Sequence, residues 1–226
     1  MSSQTPVSRR LAVEIAYDFV CPWCYLGIKR LYFLLQRRYD LEVVLVWRPF
    51  LLNPDMPRAG MSRTDYLVRK FGAEDRARKL YEAISEQGGL EGIMFNFAAI
   101  RRTPDSVNAH RLVREASKLG MADSLVMRIF EAHFVEGLDI GNSAVLAALA
   151  GRSGMDEAKA FLFLEQNGDA ELVYAENLRA HRLGINGVPC FIIGGEHAIS
   201  GAQEGEVLER LIDLAYGASE DKNQAM

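Results

Sequence analysis

Apolar and polar residues alternate along Leu11-Ala12-Val13-Glu14-Ile15-Ala16-Tyr17, which predicts a strand. Beyond it, Leu26, Leu31, Leu34 and Leu35 return at helical spacing, with Lys29, Arg30, Arg37 and Arg38 on the wet face. The β-branched run Leu41-Glu42-Val43-Val44-Leu45-Val46-Trp47, ended by Arg48-Pro49, predicts a second strand. Strand, helix, strand is a βαβ unit, with parallel strands and a right-handed crossover helix. A proline-punctuated loop covers 50–57. From about 62 to 183 the pattern is helical almost throughout, with helices expected at 65–71, 74–87, 122–135, 142–151, 156–166 and 169–183. One more is capped by Thr103, opens on Pro104 and stops at Gly120. Only 93–97 reads as extended within this block. Strand character returns at 188–193 and 197–200 around Gly194-Gly195, and a last helix is expected at 203–216. The polar tail 217–226 is expected to fray.

The chain has 226 residues, 49% of them hydrophobic and 25% charged, enough for one large domain or a smaller one carrying an insertion. A net charge of −4 and the lack of a basic stripe interleaved with aromatics argue against a nucleic-acid binder. Arg9-Arg10 and Arg101-Arg102 read as solvated pairs. Residues 1–10 are polar, and the apolar stretch that follows is broken by Glu14 and Asp18. Neither a signal peptide nor a membrane span is expected, so the chain is assigned to the cytoplasm.

That placement changes the meaning of Cys21-Pro22-Trp23-Cys24, because a paired cysteine motif in a reducing compartment points to catalysis or redox sensing rather than a static cross-link. The motif sits where the first strand gives way to the first helix. A cysteine at a helix start meets the positive end of the macrodipole and unpaired N–H groups, which favour thiolate, so Cys21 is the expected nucleophile. Cys24, three residues on, returns to the same face and suits a resolving thiol. Zinc is the competing reading, but the chain has 3 cysteines and 4 histidines, and His110, His133, His181 and His197 lack partners at helical spacing, so no metal is expected. Pro22 and Trp23 set the surface beside the sulfur, which predicts an apolar or aromatic substrate patch. Asp18 is a candidate for moving the Cys24 proton, or else a carboxylate complementing the helix dipole. His110 reads as a half-buried, hydrogen-bonded histidine, or else as one facing the active-site cleft and suited to proton shuttling. Cys190 reads as a buried small hydrophobe, and in the sharper version as a third thiol directed toward Cys24. The apolar stretch 144–150 is read as buried helix or as a contact for a homodimer.

Asp18-Phe19-Val20-Cys21-Pro22-Trp23-Cys24-Tyr25-Leu26-Gly27, taken with Gly184-Ile185-Asn186-Gly187-Val188-Pro189, resembles the DsbA-like thioredoxin superfamily and, more narrowly, its cytoplasmic FrnE-like branch. Arg48-Pro49-Phe50-Leu51-Leu52-Asn53-Pro54, Ala109-His110-Arg111-Leu112, Gly137-Leu138-Asp139-Ile140 and Ser200-Gly201-Ala202-Gln203 extend the likeness. The resemblance implies an α/β thioredoxin fold, βαβ then ββα, with a large all-helical insertion: 1–60 and 184–226 form the discontinuous thioredoxin-like domain and 61–183 the insertion. It implies a thiol-disulfide oxidoreductase or isomerase whose Val188-Pro189 bond is cis and packs against the cysteines. Pro189 then belongs to the catalytic set, and the Val188 backbone pairs with an extended substrate, a protein or small-molecule disulfide or thiol. Kappa-class glutathione transferases and 2-hydroxychromene-2-carboxylate isomerases share the inserted domain but carry serine in place of Cys21. Retention of both cysteines argues for redox exchange. Asn53 and Ser200 lie where that branch holds glutathione, so glutathione is carried as a reductant or co-substrate and no tightly bound cofactor is expected. The segment Thr103-Pro104-Asp105-Ser106 departs from the Asn-Thr or Asn-Ser of relatives. A glutathione-dependent isomerase or transferase is the alternative, and a non-catalytic binding protein using the cleft under the helices a third.

Overall fold

The computed structural model describes residues 10–72, 74–166 and 168–224. β1 (Arg10–Tyr17), α1 (Pro22–Leu35) and β2 (Glu42–Pro49) form the expected βαβ unit, with β1 parallel to β2. β5 (Cys190–Ile193) and β6 (His197–Ser200) complete a sheet in the order β2-β1-β5-β6, and α9 (Gly205–Gln224) closes the chain. β5 runs antiparallel to β1, and β6 antiparallel to β5. This is the mixed α/β arrangement of a thioredoxin-like fold. Between the halves lie α2 (Arg63–Phe71), α3 (Glu74–Leu90), α4 (Val107–Lys118), α5 (Ala122–Phe134), α6 (Ser143–Arg152), α7 (Glu157–Glu165) and α8 (Ala170–Arg182).

Local chemistry explains the starts of α2, α6 and α7. The Ser62 hydroxyl accepts from the Asp65 N–H, Asn142 from Ala144 and Val145, and Asp156 from Lys159, so each cap satisfies otherwise orphaned donors. α4 corrects the sequence reading. Its first turn is at Val107 rather than Pro104, because Thr103 is committed elsewhere: β3 (Met61–Ser62) pairs with β4 (Arg102–Thr103) in a two-residue antiparallel ladder. Gly60 makes that ladder possible, since a Cβ there would stand 2.6 Å from the Thr103 carbonyl. Residues 93–97 form no strand and lead into a 3-10 turn at Phe97–Ala99. The tail does not fray at 217, since α9 runs to Gln224, and 225–226 lie outside the described residues, as do 1–9 with Arg9.

The sheet is packed on both faces. Val13, Ile15, Tyr17, Phe191 and Ile193 join Leu26, Ile28 and Leu31 of α1, Leu208 and Ile212 of α9, and Phe130 of α5 in one core. Each such fully buried aliphatic side chain contributes roughly 2 kcal/mol. On the other face, Ala16 and Cys190 pack with Phe50, Ala180 and Ile185 under α8. The core passes unbroken from the sheet into the helices, and Leu146, Ala147, Leu149 and Ala150 are part of it. Most of the 144–150 stretch is therefore used in internal packing. Among the described residues, no helix is long and apolar enough to cross a membrane.

Candidate active site

β1 ends in a tight turn, with the Cys21 N–H donating to the Asp18 carbonyl at 3.0 Å. The turn delivers Cys21 to the N-cap of α1 in extended conformation (φ −98°, ψ 110°), and Pro22 opens the helix. No side chain caps this helix and no acid stands in its first turn, so its positive end is left facing the cysteine. Three residues on, Cys24 lies one turn deeper. Both cysteines are buried, but Cys21 keeps 6% exposure and Cys24 none, so of the two only Cys21 retains contact with solvent. Burial holds the Cys24 thiol well above its ordinary value, and the neighbouring Cys21 adds to the effect. All three cysteines are free thiols.

The opposite wall is the loop entering β5. Val188-Pro189 is a cis peptide bond, and the Cys21 thiol stands 3.7 Å from the Val188 carbonyl. α1 approaches this bond closely because Gly27 has no side chain. A Cβ there would lie 3.0 Å from the Pro189 ring and 3.1 Å from the Ala202 Cα. A glycine inside a helical pattern signals such a close approach, and the sequence carried that signal unread. Trp23 is 39% exposed beside the sulfur, and Pro22 is half-buried.

Asp18 is 1% exposed and accepts from two backbone donors, Val20 at 3.3 Å and Leu52 at 2.7 Å. It joins the end of β1 to the segment after β2. His110 of α4 is wholly buried, its Nε2 3.7 Å from Asp18 Oδ1 and its ring between Tyr17 and Phe19. The half-buried, hydrogen-bonded histidine expected from the sequence is thus corrected: neither ring nitrogen has a hydrogen-bond partner. Cys190 is corrected in direction. Alternation along β5 sends Phe191 into the core shared with Cys24 and turns Cys190 to the opposite face.

Asn53 and Ser200 come from separate segments, the loop after β2 and the last residue of β6. Asn53 borders a cleft of about 250 Å³ with Tyr66, Arg69 and Lys70, and its Nδ2 is buried without a partner. Burial pushes the Tyr66 hydroxyl up, and the neighbouring Asn53 amide opposes the shift. Ser200 is exposed at the end of β6, opposite Cys190 in the ladder, and the next N–H, of Gly201, donates to the Pro189 carbonyl at 2.7 Å. Arg63, Tyr66 and Tyr81 were not singled out from sequence. They fall in a stretch that reads only as helix, and nothing in their spacing connects them to Cys21. No group of three or more His, Cys, Asp or Glu stands together as a metal cage among the described residues.

Comparison with known proteins agrees with this fold. A probable DsbA oxidoreductase from Streptomyces coelicolor superposes with a TM-score of 0.82 at 27% identity, covering 92% of this chain and 90% of its own. The uncharacterized protein YwbO of Bacillus subtilis (strain 168) is 26% identical over 201 residues, which cover 88% of this chain and 94% of YwbO. The cytosolic disulfide reductase DsbM of Pseudomonas aeruginosa, solved with GSH, shares the fold at a TM-score of 0.56 and 22% identity over 94% of this chain and 99% of its own. Residues 12–213 match the DSBA-like thioredoxin domain, and the chain belongs to that family.

Proposed function

We propose that the chain is a cytoplasmic thiol-disulfide oxidoreductase acting on a protein or small-molecule disulfide. The observation that carries this reading is the asymmetry of the pair: Cys21 meets the surface at an uncapped helix start against the cis-proline loop, and Cys24 is sealed behind it. Cys21 thiolate attacks one substrate sulfur, so the substrate S–S bond breaks, a mixed disulfide forms and one substrate thiolate leaves. Cys24 then gives up its proton, with Asp18 the nearest buried carboxylate to take it. Its thiolate attacks the Cys21 sulfur, closing the Cys21–Cys24 disulfide and releasing the second substrate thiolate. Val188 offers backbone to an extended substrate, Pro189 leaves that edge free of a competing donor, and Pro22 and Trp23 form the apolar floor. Residues 1–60 with 184–226 supply this chemistry, and the inserted 61–183 covers it.

A reductant must reopen the disulfide, and glutathione is the proposed one, entering as a mixed-disulfide partner. The unpartnered Asn53 amide beside Arg69 and Lys70 suits a peptide-like, anionic thiol, and exposed Ser200 is the second proposed contact. The same amide favours the second reading, a glutathione-dependent isomerase or transferase. Insulin-disulfide reduction driven by dithiothreitol or by glutathione, with Cys21→Ser and Cys24→Ala compared with wild type, separates them. Loss of turnover in both variants is expected. Glutathione-dependent turnover surviving Cys24→Ala would overturn the dithiol mechanism in favour of the second reading.

A further inference from the structure

A second cleft, of about 800 Å³, opens between α2, α3 and the 95–98 loop, within the size range of small-molecule sites. Its apolar wall is a stack of rings: Tyr81 on Phe97 at 4.2 Å between centroids and Phe97 on Phe95 at 5.0 Å, both nearly parallel. Phe95 fits against α3 because Gly88 has no side chain; a Cβ there would stand 2.5 Å from the ring. The stack continues to the active-site helix, with Phe95 meeting the edge of Tyr25, the residue after Cys24, at 5.9 Å. Phe97 is covered on both faces by its neighbours and Tyr81 by Phe97 and a guanidinium, so the wall offers ring edges, which favour the face of an aromatic ligand over an aliphatic chain.

The guanidinium is that of half-buried Arg63, 5.1 Å from the Tyr81 ring and 5.5 Å from that of Tyr66. Two of its N–H groups are taken by neutral oxygens, Thr103 Oγ1 at 3.1 Å and the Tyr81 hydroxyl at 2.6 Å. No carboxylate among the described residues lies within ion-pair distance of it. At the mouth, Arg78 is already paired with Asp75, and Glu82 is exposed. A partly buried cation without a counter-ion, at the end of an aromatic wall, asks for an anionic group on a flat apolar body.

We propose that this cleft selects anionic aryl disulfides or thiols for Cys21, with the negative group on Arg63 and the ring against the Phe95–Phe97–Tyr81 edges. The proposal rests on the dithiol reading. Reaction with an aryl disulfide breaks its S–S bond, forms a Cys21–S–S–aryl bond and releases one aryl thiolate. Cys24, its proton passed to Asp18 as above, attacks the Cys21 sulfur, displaces the second aryl thiolate and leaves Cys21–Cys24 oxidised.

The test is the rate at which the reduced protein releases thiolate from three probes: 5,5′-dithiobis(2-nitrobenzoate), neutral 4,4′-dithiodipyridine and aliphatic 2-hydroxyethyl disulfide. For wild type the anionic aryl probe should show saturation and the aliphatic one a linear dependence on concentration. Arg63→Gln should slow the anionic aryl probe by about tenfold or more and the neutral aryl probe less than about twofold, with Arg78→Gln near wild type. Equal slowing of all probes by Arg63→Gln, or none, overturns the proposal. Should that variant not fold, linear kinetics with every probe in the wild type does the same. If no probe oxidises the wild-type dithiol, the oxidoreductase reading fails and the substrate class falls with it.

Discussion

Replacing His133 by glutamine should flatten the acid side of the protein's stability curve, and the structure gives the size of the effect. His133 is 1% exposed at the end of α5, with Nδ1 3.4 Å from the Leu138 carbonyl and its ring 4.6 Å from Phe134. Burial pushes the imidazole from its ordinary 6.5 down to about 4; the charge of Arg63 acts in the same direction, and the Leu138 carbonyl opposes it. The neutral ring is the form the fold accepts. Between those two values the unfolded chain binds a proton that the folded chain refuses, so stability is complete above the unfolded value and falls as the pH drops toward the folded one. At pH 4.5 nearly every unfolded chain and only about a quarter of folded chains carry this proton, a loss of about 2.5 kcal/mol relative to pH 7.5. Urea unfolding at the two pH values, for wild type and His133→Gln, isolates the contribution, because carboxylates titrate equally in both. The wild type should lose about 2.5 kcal/mol more than the variant. Parallel losses, or a His133 ring resonance titrating near its ordinary value, would refute the argument.

Two further perturbations test how the site is held. The buried Arg111 guanidinium donates to the carbonyls of Phe163, Leu164, Gln166 and Gly168 and to the side chain of Asn108, closing the C-terminal end of α7. Arg111→Met should cost about 3–5 kcal/mol in urea unfolding, and a cost below about 1 kcal/mol would mean that those carbonyls are not dependent on it. Gly27→Ala gains about 1 kcal/mol of helix propensity but forces a methyl to 3.0 Å from Pro189 and 3.1 Å from the Ala202 backbone. Net destabilisation with slower disulfide exchange is expected, and unchanged stability and rate would show that the cis-proline loop does not need this close approach.

The βαβ and ββα halves were legible because their signals are local: β-branched runs of strand length, a helical repeat, and glycines at the turns. α5 and α8 lie within a residue or two of their expected limits for the same reason. The misreadings share a cause. Thr103-Pro104 has the chemistry of a helix start, but Thr103 is drawn into a ladder with Met61, a partner far away in the chain. Residues 93–97 have the apolar content of a strand, yet the rings of Phe95 and Phe97 are used in a stack with Tyr81.

The same division runs through the site. Cys21 and Cys24 are legible because the motif falls at a strand-to-helix junction, where a three-residue spacing puts the second cysteine one helical turn deeper than the first. What surrounds them is not local. Asp18 and His110 come together from β1 and α4, Asn53 and Tyr66 from a loop and α2, and Arg63 meets Tyr81 across two helices. Each pair consists of ordinary residues until the inserted helices close over the sheet. The direction of Cys190 shows how little is needed to mislead: burial was expected and found, but which face of the sheet it joins is set by register with Ala16, and a one-residue change in that register would turn it toward Cys24. Under the proposed dithiol chemistry the sulfurs are thus written in one short segment, while Arg63, Tyr66 and Tyr81 are brought together only by the folded helices, so that cleft has to be read from the structure.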